Sequence, residues 1–76
     1  MISYEEYRAI VMDKFKKLWG PLSDEEVEEY FEREGNEVTR TRYKGDVKSL
    51  KRGEINEYIL ENDCTASVAY CLSLMY

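Results

Sequence analysis

The chain has no histidine, two cysteines, one proline and four glycines in 76 residues. Without histidine it lacks the side chain that most often acts as a general base near neutral pH, and two thiols are too few for a structural zinc site within one chain. There is no glycine-rich phosphate loop, no serine flanked by glycines, and no base to activate Cys64 or Cys71. The longest uncharged run, from Cys64 to Tyr76, spans 13 residues, short of the roughly 20 that a membrane-crossing helix needs. Met1 to Glu6 is neither a basic leader segment nor followed by a long apolar stretch, which sets the expectation of a cytoplasmic protein with no membrane role. These absences lead us to expect a protein that is not an enzyme and takes no cofactor or metal. The acidic cluster from Asp24 to Glu34 is patterned as a helix and lacks the turn glycine and alternating ligands of a calcium loop.

What is present suits one small globular domain over residues 1–76: hydrophobic residues make up 43% and charged residues 36%, too apolar for a disordered tail and too short for two cores. Two helix starts share one grammar. Ser3 with Glu6, and Ser23 with Glu26, read as capping boxes, with Ile2 and Leu22 placed to staple onto Tyr7 and Val27. The first helix is expected over about 4–19, stopped by Gly20 and Pro21, with Tyr4, Tyr7, Val11, Phe15, Leu18 and Trp19 inward. A second is expected over about 24–34, ended by Gly35 and Asn36. Residues 37–53 admit two readings, because Val38 to Tyr43 alternates like a strand while Tyr43, Val47 and Leu50 recur at helical spacing. A lone two-stranded hairpin is marginal, so a helix capped by Asn36 is the favoured reading. A short helix over about 54–61 and a last one over about 65–75, capped by Asp63, complete the chain. The expected fold class is therefore all-α, a compact bundle of four to five short helices, with an α+β alternative carrying a small hairpin over residues 38–50. Trp19, Phe15, Phe31, Tyr43, Val47, Ile59, Val68 and Leu72 are expected in its core. Cys64 and Cys71 stand about 10 Å apart along a helix axis, beyond disulfide reach, and read as reduced core residues.

The last segment is apolar nearly all round, which makes residues 65–76 either the central strut of the bundle or the seam of a homodimer. Charge is distributed in blocks. Residues 21–37 carry eight acids and one base, a net of -7, and residues 38–53 carry six bases and one acid, a net of +5. Glu25, Glu28, Glu29 and Glu32 follow i, i+3, i+4, i+7 spacing and form a single acidic stripe, although like charges at this spacing cost a few tenths of a kcal/mol per pair. One reading folds the acidic block against the basic one across a turn at Gly35, so that the two neutralise each other. The other leaves the stripe free to enter a basic groove of a nucleic-acid-processing protein in place of phosphates, with Glu54, Glu57 and Glu61 or a second subunit extending it. A third reading places Arg40, Lys44, Lys48 and Lys51 on nucleic acid, against the overall charge of -5.

Gly53-Glu54-Ile55 followed by Ser67 to Tyr76 resembles the ending of small uncharacterised proteins carried by bacterial mobile elements and phages. In size, acidity and helical content the chain is also similar to anti-CRISPR and anti-restriction inhibitors, a class with no shared motif. The resemblance implies a binding protein that occupies the nucleic-acid groove of a defence enzyme. The alternative is a structural or oligomerising accessory protein acting through its apolar C-terminal helix.

Overall fold

The computed structural model describes all 76 residues and contains three helices and no strand. Helix α1 is Tyr4–Trp19. Helix α2 covers residues 24–51, built from Asp24–Tyr30, a π-helical turn Phe31–Gly35, and Asn36–Lys51. Helix α3 covers residues 57–75, from Glu57–Ile59 through a second π-helical turn, Leu60–Cys64, to Thr65–Met75. The all-α class matches the helical patterning, and the hairpin over residues 38–50 does not form. The number of helices is three instead of four to five, because the breaks expected at Gly35 and Asp63 fall inside continuous helices.

The reason is visible in the backbone. Glycine ends a helix when it adopts a positive φ, as Gly20 (69°) and Gly53 (76°) do here. Gly53 N–H bonds to Leu50 C=O while Glu54 N–H reaches back to Ser49 C=O, the paired bonds of a Schellman ending. Gly35 instead keeps helical angles, and Asn36 N–H bonds to Phe31 C=O across one π turn. Its inward residues demand that turn. Val27, Phe31, Gly35 and Thr39 are all buried and recur every four residues, which on a straight helix drifts about 40° per step; a π turn takes up the excess. In α3 the buried pair Leu60 and Thr65 is five residues apart, and the second π turn brings both to one side.

The caps differ from expectation too. Ser23 forms the full reciprocal box with Glu26. Ser3 accepts from Glu6 N–H at 3.2 Å, but its hydroxyl donates to the Glu6 carboxylate, leaving half a box. Neither Asn36 nor Asp63 caps a helix; Asn56 does, accepting from Ile59 N–H at 2.9 Å.

Helix α2 runs antiparallel to α1, as the contacts of Lys16 with Asp24 and of Arg8 with Asn36 show. Helix α3 runs parallel to α1: the Met1 amino group lies 3.7 Å from Glu57 at one end, and Trp19 meets Ser73 and Tyr76 at the other. Phe15 and Tyr30 stack with centroids 5.0 Å apart, and Phe31 meets Phe15 edge-on at 5.7 Å. Phe15, Phe31, Val68 and Leu72 are buried as expected, joined by Tyr7, Val11, Tyr30, Leu60 and Ala69. Tyr43, Val47 and Ile59 are half-buried. Leu18, expected on the inward side of α1, is 53% exposed, and Trp19 is the exception within the expected core. It stands 39% exposed at the rim, where its indole N–H donates to Ser73 C=O, one of the carbonyls left unpaired at the end of α3.

Candidate functional site

The acidic stripe is positioned by the first turns of α2. Ser23 starts the helix, Val27, Tyr30 and Phe31 anchor its inner side, and Glu25, Glu28, Glu29 and Glu32 project from the opposite side, all exposed. With Asp24 they line one open, shallow furrow that contains no apolar side chain. The first-turn acids Asp24, Glu25 and Glu26 face the positive end of the helix dipole, which offsets part of their mutual repulsion.

No ion pair joins the acidic block to the basic block. Because α2 continues through Gly35, the two blocks lie end to end along one helix, and the reading that folds them against each other across a turn does not apply. Counter-charges come from α1 and from within the acidic block: Arg8 of α1 reaches Glu28 at 3.1 Å, and Arg33 stands 4.0 Å from Glu29. Exposed pairs of this kind contribute about 0–1 kcal/mol each. Glu25 and Glu32 have no ion-pair partner.

Arg8 is the residue the sequence does not single out. Its Nε donates to Asn36 Oδ1 at 2.6 Å, and its guanidinium lies 5.6 Å from the Phe31 ring centroid. The Tyr4 hydroxyl also donates to the Asn36 backbone C=O at 3.3 Å. These contacts clamp α1 to the π turn and hold one edge of the stripe. No local spacing reveals them, since the partners are 20 and 28 residues away.

The alternative basic residues Arg40, Lys44, Lys48 and Lys51 share one exposed side of the C-terminal half of α2. Arg40 lies 4.9 Å from the Tyr4 ring centroid, and none of the four is ion-paired. At the junction of the blocks, Glu32, Glu37, Arg40 and Lys44 line a mixed-charge furrow.

A separate cavity of about 180 Å³ is lined by Arg42, Asp46, Asp63, Cys64, Ser67, Val68 and Cys71. Tyr7, fully buried, donates to Asp46 Oδ2 at 2.6 Å beside it. Burial, with Asp46 and Asp63 adding to it, pushes the Cys64 thiol up, the reverse of what a nucleophile needs. Burial and the Asp46 hydrogen bond likewise raise the Tyr7 phenol far above its ordinary range. Contrary to the reading of both thiols as core residues, Cys71 is exposed and Cys64 half-buried; neither forms a disulfide. No group of three histidine, cysteine, aspartate or glutamate side chains converges as a metal site, and no helix is long and apolar enough to cross a membrane.

Among known proteins, no family model, no curated protein and no solved structure matches this chain.

Proposed function

We propose that the chain is a non-enzymatic protein-binding module that offers Glu25, Glu28, Glu29 and Glu32 to a cationic groove of a nucleic-acid-processing protein and inhibits it by standing in for phosphates. The observation that supports this is the exposure of the stripe: four exposed carboxylates, of which Glu25 and Glu32 have no ion-pair partner, a furrow with no apolar side chain, and a basic block held at the far end of the same helix. Carboxylates one turn apart are spaced about 5 to 6 Å, and Glu25 to Glu32 rises about 10 Å, some three base-pair steps. The similarity in size and acidity to anti-CRISPR and anti-restriction inhibitors points the same way.

The test is capture of a partner from the lysate of the native host, with and without infecting phage, by the wild-type chain and by a variant carrying glutamine at all four positions. The wild type should retain a nucleic-acid-binding protein, lose it steeply between about 50 and 200 mM salt, and release it to added duplex DNA. The quadruple variant should fold at least as well, since like-charge repulsion is relieved, and capture nothing. Undiminished capture by that variant removes the stripe as the site. Direct retention of DNA that is lost on neutralising Arg40, Lys44, Lys48 and Lys51 would assign the function to the basic half instead.

A further inference from the structure

Helix α3 carries no charge from Thr65 to Met75, yet only one side of it is covered. Thr65, Val68, Ala69 and Leu72 are buried, whereas Ala66, Ser67, Tyr70, Cys71, Leu74 and Met75 are exposed. At 100° per residue the exposed six span half the circumference, with Ser67 and Leu74 at its centre. Leu18 of α1 continues the surface, lining a groove with Ala66 and Tyr70 under Lys14 and Lys17. Leu18 is 53% exposed, Tyr70 56%, Leu74 71% and Met75 60%.

We propose that this face binds the same face of a second copy of the chain, with the two α3 helices antiparallel about a two-fold axis that passes between Tyr70 and Cys71. Size complementarity sets the direction. Small Ala66 and Ser67 lie at one end of the face and large Leu74 and Met75 at the other, so antiparallel pairing seats each Leu74 over the other copy's Ser67. Parallel pairing would set Leu74 against Leu74 and leave a gap between the serines. Charge agrees. The negative end of the other copy's α3 dipole comes to the rim that carries Lys14 and Lys17. A two-fold axis in this position also brings the two Cys71 thiols opposite one another, while the half-buried Cys64 sits about 10 Å from the axis along each helix, about 20 Å from its counterpart.

Light scattering on the reduced chain should give twice the 9.0 kDa of one copy at tens of micromolar. Mild oxidation should then link Cys64→Ser into a covalent dimer and leave Cys71→Ser unlinked. Leu74→Lys, at an exposed position, should keep its helical circular dichroism and return the mass to that of a single chain. Should that variant unfold, Ala66→Glu reads the same seam from its other end. A single-chain mass up to hundreds of micromolar, a dimer indifferent to both seam variants, or cross-linking through Cys64 would each overturn the proposal.

Discussion

The ring of Phe31 lies directly against Gly35: a β-carbon at position 35 would stand 3.0 Å from Phe31 Cγ and 3.1 Å from Cδ1. Phe31 is fully buried, with Phe15, Tyr30 and Arg8 around its ring. Gly35→Ala should therefore lower stability by about 1–2 kcal/mol, overpacking outweighing the gain of about 1 kcal/mol in helix propensity. Gly45 lies in the same helix with nothing within 4 Å of its added carbon, so Gly45→Ala should raise stability by about 0.5–1 kcal/mol. Urea unfolding of the two variants checks the contrast, and a stabilised Gly35→Ala would refute the close packing.

Trp19→Ala should cost about 1–2 kcal/mol and leave the chain folded, because the indole is partly solvated and loses one hydrogen bond and one edge contact with Tyr76. Phe15→Ala removes a fully buried ring stacked on Tyr30 and should cost about 3–5 kcal/mol. A domain of this size holds only about 4–11 kcal/mol, so the second variant should be largely unfolded by mild heating and the first should not. Thermal melts that rank them the other way would contradict the core as drawn.

Thr39 is fully buried, and its hydroxyl has no hydrogen-bond partner. Removing an unsatisfied polar atom while keeping the branched shape should help. Thr39→Val is expected to raise stability by about 1 kcal/mol, or about 4–8 °C in Tm for a domain this small. An unchanged or lowered Tm would mean that the hydroxyl is satisfied in solution.

Alkaline pH should unfold the protein from within. Burial raises the phenols of Tyr7 and Tyr30 above the ordinary value of 10, with Asp46 adding to the first and Glu34 to the second. The folded state thus keeps protons that the unfolded state releases. Stability is fully present below about pH 10 and falls as pH rises beyond it. In a spectroscopic titration of the seven tyrosines, two should ionise only as helicity is lost. Tyr7→Phe should flatten the alkaline fall while costing about 1–2 kcal/mol near neutrality, where its bond to Asp46 is missing. Simple ionisation of all seven before unfolding would sink this account.

Local pattern was enough for the start of α1 at Ser3 and of α2 at Ser23, the stop at Gly20, the preference for helix over a hairpin in residues 38–50, and the alignment of the four glutamates opposite Val27, Tyr30 and Phe31. Each of these is a local matter: a cap reaches three residues, a stripe needs only the helical repeat, and a glycine stop needs only an unhindered positive φ. Tertiary structure decided the rest. Gly35 and Asn36 resemble a helix end by composition, but Phe31 needs the space above Gly35, and Arg8 and Tyr4 draw on Asn36, so packing across 28 or more residues carries the helix through. That continuity, in turn, kept the acidic and basic blocks apart. Trp19 sits on the inward side of its helix by periodicity, yet α1 outruns the cover that α2 provides, and its indole came to rest on the last turn of α3. The uncharged run from Cys64 onward allows burial on every side; with only α1 and α2 to pack against, a chain of 76 residues covered half of it and left the other half to solvent.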